Sequence, residues 1–107
     1  MMRKASVYLR ERRAGILEEL DRGYRFSYIP AYVQEEGAEP ISLTLPLQLD
    51  PYVSEPTLHP FFDGLIPEGW LLQLALGVHR LQLRDRFGIL LATGADTIGA
   101  VRILPSE

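Results

Sequence analysis

A chain of 107 residues, 47% hydrophobic and 23% charged, is sized for one domain spanning 1–107 around one core. It has no cysteine, which excludes disulfides and thiolate metal sites and fits a reducing cytoplasm. Its net charge of −3 argues against a general nucleic-acid binder, which needs clustered Lys and Arg for phosphate, and no apolar run nears the ~20 residues of a membrane span.

In chain order, Lys4–Leu9 reads as a strand rich in Val and Tyr, following an N-terminus without an apolar signal region. Arg10–Arg13 is a polar, solvated turn, and Gly15–Leu20 returns as a second strand. Asp21-Arg22-Gly23 punctuates, with Gly23 free to take positive φ. Tyr24–Tyr32 alternates Tyr24, Phe26 and Tyr28 against Arg25, Ser27 and Ile29, a third strand whose end Pro30 places at an edge. Gln34–Pro40 is a polar loop. Ile41–Leu45 is the cleanest alternation in the chain, predicting a strand with Ile41, Leu43 and Leu45 on one face. Four prolines at 46, 51, 56 and 60 then predict an irregular connection.

The period changes in the C-terminal half. Pro67 fits the first turn of a helix whose apolar face carries Trp70, Leu71, Leu74 and Val78. Asp85 is the expected N-cap of a second helix presenting Phe87, Leu90 and Leu91, and Gly94 its expected left-handed C-terminal cap. Ile98–Leu104 reads as the last strand, ended by Pro105. The fold class is therefore α+β: a small antiparallel meander with two helices inserted before the final strand.

Catalytic parts are scarce. Lys4 is the single lysine and there is no asparagine, so the lysine, aspartate and asparagine of a protein kinase cannot be assembled. There is no phosphate-binding glycine loop and no nucleophile elbow, and His59 and His79 lack companions at metal spacing; they read as surface or loop histidines. Asp63 and Glu68 flank one turn, and two carboxylates can perform acid–base work, but their Gly/Pro-rich loop supplies no nucleophile. We expect no catalytic residue, no metal and no cofactor, and no enzyme activity.

Phe61–Trp70 (FFDGLIPEGW) and Asp85–Leu104 (DRFGILLATGADTIGAVRIL) are more specific. They resemble two successive motifs of the N-terminal domain of HipA-type toxin kinases. Phe61, Phe62, Leu65, Pro67, Glu68 and Gly69 fall on the first motif; Asp85, Phe87, Leu90, Leu91, Gly94, Asp96, Gly99 and Ala100 fall on the second. Pro40–Leu47 is similar to the family's Pro-x-Ser-Leu-Ser-Leu-Pro-Leu segment, so the likeness covers nearly the whole chain. Thr97 stands where the family often has cysteine, and the chain stops at Glu107, where a full-length member continues into its kinase core.

The resemblance implies a bacterial toxin–antitoxin setting and a protein that docks on and restrains a HipA/HipT-type serine/threonine kinase, similar to HipS-type small subunits. A helix-turn-helix DNA-binding protein would join through the complex, with no direct nucleic-acid or membrane contact. Met1 and the polar 104–107 end favour a stand-alone subunit over an excised or remnant N-terminal domain with a structural role; a small ligand-binding domain is the reading from another class. Asp63, Glu68, Gly69 and Trp70 are the expected partner-binding residues. Trp70 either fills the core or projects as an anchor near the kinase's nucleotide pocket.

Overall fold

The alternation of the first 28 residues is what builds the sheet. In the computed structural model, which describes residues 2–97 and 99–106, strands β1 (Lys4–Leu9), β2 (Arg12–Glu19) and β3 (Tyr24–Tyr28) form an antiparallel meander. β4 (Tyr52–Ser54) adds to β3 and β5 (Val101–Ser106) adds to β1, giving the order β4-β3-β2-β1-β5. Ala5, Val7, Leu17, Phe26, Tyr28 and Ile103 point to one face and are buried there, as period-two patterning requires.

Several boundaries differ from the sequence expectation, each for a local reason. The first turn contracts to Arg10 and Glu11, with Arg10 in the left-handed region (φ 56°) that two-residue hairpins demand. A register shift between Val7↔Gly15 and Tyr8↔Arg13 absorbs Ala14 as a bulge. Positive φ falls at Gly37, Gly69 and Gly99 rather than at Gly23, whose missing side chain instead admits Ser54 of β4: a Cβ there would lie 2.3 Å from the Ser54 carbonyl oxygen. The third strand stops at Tyr28. Pro30 opens a one-turn helix, α1 (Pro30–Val33), and Tyr32 turns inward to stack on Tyr28 at 6.2 Å.

Residues 41–45 do not form a strand. Ser42 and Leu45 close an isolated bridge, the Ser42 and Thr44 hydroxyls meet at 2.9 Å, and the turn buries Ile41 and Leu45 while Leu43 is 94% exposed. The buried Tyr28 hydroxyl holds the turn in place, accepting from the Ile41 N–H at 3.0 Å and donating to the Leu45 carbonyl. The connection expected to be irregular contains β4 and a second one-turn helix, α2 (Pro60–Asp63). His59 is not a free surface histidine. Its Nδ1 accepts the Phe61 N–H at 3.0 Å, capping α2, and burial lowers its pKa.

Two longer helices, α3 (Gly69–His79) and α4 (Arg86–Thr93), precede β5 as expected. α4 lies on the sheet. Phe87, Ile89 and Leu90 are fully buried, Leu91 partly so, and Phe87 stacks on Tyr24 at 5.8 Å. Gly94 is not a left-handed cap; at φ −71° it continues into a 3-10 turn, Gly94–Asp96. The glycine is required by close approach, because a Cβ would lie 2.6 Å from Ile103 Cβ. The last strand runs past Pro105, tolerated because β5 is an edge strand; Ile98 lies outside the described residues.

Candidate functional site

The loop from Gly64 to Glu68 is anchored by buried Ile66 and delivers the chain into α3. Pro67 stands before the helix rather than in its first turn. Glu68 is the N-cap residue, but its carboxylate makes no cap hydrogen bond and is exposed. Gly69 adopts φ +62° with open space around its Cα, a conformation that strains side-chain-bearing residues. Glu68, Gly69 and Trp70 thus form one exposed corner of the molecule.

From that corner α3 runs ten residues, 69–78, without a charge. Ala75 is its buried residue, with Leu72 and Leu76 half-buried beside it. The face expected to pack inward is the outer one. Trp70 is 77% exposed, Val78 67%, Leu74 53% and Leu71 49%. The helix is uncharged and apolar on most sides, with Gln73 its one polar side chain before His79, so the apolar periodicity of Trp70, Leu71, Leu74 and Val78 did not decide which side meets the sheet; small Ala75 allows the close approach, and the bulky side chains are left outside. Trp70 is therefore not part of the core, and it stands on the first helical turn rather than on a loop tip.

Between α3 and the end of α4 lies a groove of about 760 Å³. Leu65 and Pro67 from the loop, Leu71, Leu74 and Val78 from α3 and Ala92 from α4 line it, with Glu68, His79 and Asp96 contributing polar groups. Its two threonines are engaged: the Thr93 hydroxyl donates to the Ile89 carbonyl at 2.8 Å and that of Thr97 to the Val101 carbonyl. Among the described residues no three His, Asp or Glu side chains gather at metal-binding distance, and no buried side-chain polar atom lacks a partner. What the surface offers is apolar area with a polar rim, the chemistry of burial against another surface.

Asp63 is set apart from this corner. Its carboxylate receives Arg86 Nε at 2.9 Å and Nη2 at 3.3 Å, tying α2 to the start of α4. A second clip lies at the other end of the Asp85 region. Arg3 donates to Glu19 (Nη2–Oε2 2.7 Å) and to Asp85 (Nη2–Oδ1 2.8 Å), and its guanidinium sits 5.4 Å from the Phe87 ring centre. These hydrogen bonds hold the Glu19 and Asp85 carboxyls below their ordinary range and raise Arg3 further above its own. Asp85 also accepts the Gly88 N–H at 3.0 Å, the N-cap expected from sequence. Arg3, Arg86 and His59 carry structural roles that their positions in the sequence did not signal, since each partner is remote or is a backbone group. No helix among the described residues is long and apolar enough to cross a membrane.

Comparison with known proteins gives the lineage. Residues 5–104 match the family described as the HipA N-terminal domain. An uncharacterized protein of Haemophilus influenzae is 39% identical over 103 residues, covering 96% of this chain and 92% of that one. Y4mE of Sinorhizobium fredii, a candidate kinase by name, is 34% identical over 85 residues, which cover 77% of this chain and only 19% of that protein. A solved structure titled as the N-terminal domain of HipA toxin superposes with a TM-score of 0.72 at 31% identity, covering 98% of this chain and 93% of the other.

Proposed function

The chain belongs to the HipA N-terminal domain family, and from that premise we propose that it is a non-catalytic binding subunit that docks on a HipA/HipT-type serine/threonine kinase and restrains it. The observation that carries the reading is the exposed, uncharged face of α3 beginning at Trp70. A helix that buries one alanine and leaves Trp70, Leu74 and Val78 in water is built for contact with another surface. Tryptophan is enriched among residues that dominate binding energy, and the left-handed Gly69 turns the chain so that the indole leads. Glu68 lies at the rim of this contact, and Asp63, engaged by Arg86 at the start of α4, lies apart from it.

Two further facts support the reading. The Haemophilus relative is matched over 92% of its length, so a relative of about this size exists apart from a kinase core. In Y4mE the matching segment is about a fifth of a longer protein named for kinase activity. The same segment therefore occurs in both settings, which also keeps open the reading as the N-terminal domain of a longer kinase. In either case the complex would work in the cytoplasm, and a helix-turn-helix protein would reach DNA through the kinase and not through this chain.

The test is binding to a purified HipA-type kinase, measured by calorimetry with the parent and with Trp70→Ala. Association with the parent and at least a thirtyfold loss with Trp70→Ala, corresponding to the ~2 kcal/mol of a binding hot spot, is expected. Equal affinity of the two would remove Trp70 from the interface, and no association with the parent would remove the docking role.

A further inference from the structure

The sheet has a second face, turned away from the buried cluster, and its charge is opposite to that of the whole chain. Strand alternation places Lys4, Arg13, Arg25 and Arg102 there against a single carboxylate, Glu18. The face thus carries +3 on a chain whose total is −3, which leaves the remainder strongly acidic. Glu18 already engages two of the four cations, Lys4 at 3.6 Å and Arg25 at 3.1 Å. Arg13 and Arg102 are different. They flank Tyr8 in register, Arg13 on β2 and Arg102 on β5, and neither has a carboxylate within ion-pair distance among the described residues. Neutral groups orient both: Arg13 Nε donates to the Ser6 hydroxyl at 3.0 Å, and the Arg102 guanidinium stands 5.5 Å from the Tyr8 ring centre. A neutral partner fixes a guanidinium without cancelling its charge. Two positioned cations therefore remain, their backbones two strand spacings or roughly 10 Å apart. In the next row along the strands, half-buried Ile16 and Leu104 flank Ser6.

We propose that this face docks an acidic segment of a partner protein, whose carboxylates pair with Arg13 and Arg102 while an adjoining apolar side chain lies over Ile16 and Leu104. Planar guanidinium forks match carboxylates bidentately, and the oriented pair gives the contact its register. Charge complementarity selects an anion, and the shape of the patch selects a protein over a nucleic acid. A polynucleotide needs cations clustered along its length, whereas here two unanswered ones adjoin an apolar row, Glu18 and an otherwise acidic chain. The face lies across the sheet from α4, whose Phe87 stacks on the inward Tyr24, and from α3 packed against α4. It does not rest on the kinase reading, and one chain can hold both partners at once.

The probe is a fluorescently labelled oligoglutamate peptide, titrated with the purified chain at low salt and followed by anisotropy. Saturable binding to the parent is expected. Arg13→Ala and Arg102→Ala should each weaken it about threefold and the double variant about tenfold, the scale of exposed charge pairs. Trp70→Ala and Arg84→Ala, the latter at an exposed arginine in the loop before α4, should leave the affinity unchanged. Absence of binding, or an equal loss in Arg84→Ala, overturns the proposal. An oligonucleotide of the same charge that binds more tightly through the same two arginines overturns it in favour of nucleic acid. Amide chemical-shift mapping on the parent needs no variant to fold. Shifts centred on Tyr8, Arg13 and Arg102 support the site, and shifts on α3 or scattered over all basic residues overturn it.

Discussion

Helices α3, of 11 residues, and α4, of 8, are both largely apolar, yet they are written for different neighbours. α4 has a side-chain cap from Asp85, a buried stripe of Phe87, Ile89 and Leu90, and an ionic clip from Arg3 that reaches β2 through Glu19. α3 has no side-chain cap, buries Ala75, and turns its large residues to water. The first is specified by contacts inside the fold. The second is long, uncharged and thinly attached, which costs solubility and is retained when an outside surface uses it. The difference separates residues that stabilise from residues that recognise.

The sharpest way to break that comparison is Phe87→Ala. The ring is fully buried between Tyr24 and the Arg3 guanidinium, so its loss leaves a cavity and removes both contacts. A destabilisation of about 3–5 kcal/mol is expected in urea unfolding. A midpoint near that of the parent would show that α4 does not anchor the helical half.

Next in size is the Asp85 clip. Asp85→Ala removes the α4 cap and one arm of the Arg3 bridge, with an expected cost of about 1–2 kcal/mol at neutral pH. Asp85 and Glu19 have folded pKa values below their ordinary 3.8 and 4.5, because Arg3 hydrogen-bonds their charged forms. A carboxyl so depressed contributes stability that is present above its ordinary pKa and lost as pH falls through the folded one. Stability should therefore decline below about pH 4.5, and Arg3→Ala should flatten that limb. The His59 cap acts earlier: burial lowers its pKa from 6.5, so protonation opposes folding and a shallower loss should begin as pH falls past that value. An acid limb of equal slope in Arg3→Ala would show that the clip is not the cause.

How far the sequence could be read follows from where each residue's partner lies. The meander, the Asp85 cap and the inward Phe87 and Leu90 were legible because strand alternation and capping are local rules. Residues 41–45 misled for a physical reason: Ile41 and Leu45 are held by one hydroxyl, that of Tyr28, thirteen and seventeen residues away in sequence. Alternation there marked the two ends of a pinned turn and left Leu43 in solvent. Gly94 misled similarly, since its partner Ile103 lies on a strand not yet formed. At the candidate site, Glu68, Gly69 and Trp70 were legible as a corner, whereas the outward direction of Leu71, Leu74 and Val78 was not. A helix with a single polar side chain, Gln73, before its last residue carries little signal for which side the fold will take.

The smallest expected effect on stability is at the most conspicuous residue. Trp70 is the single tryptophan, and in a core its truncation would cost about 3–5 kcal/mol. Here it is 77% exposed on the first turn of α3 and belongs neither to the buried cluster nor to the partly buried side chains around it. Trp70→Ala should therefore change stability by no more than about 0.5 kcal/mol, the range of surface substitutions. The indole should report the same fact optically, with a solvent-exposed emission maximum in the unbound chain that shifts to shorter wavelength when α3 is covered. A large loss of stability in Trp70→Ala would return the indole to the core and remove the distinction between the two helices. An unchanged melt together with the emission shift would assign Trp70 to recognition, since a residue that contributes nothing to its own fold can bury its indole only against another surface.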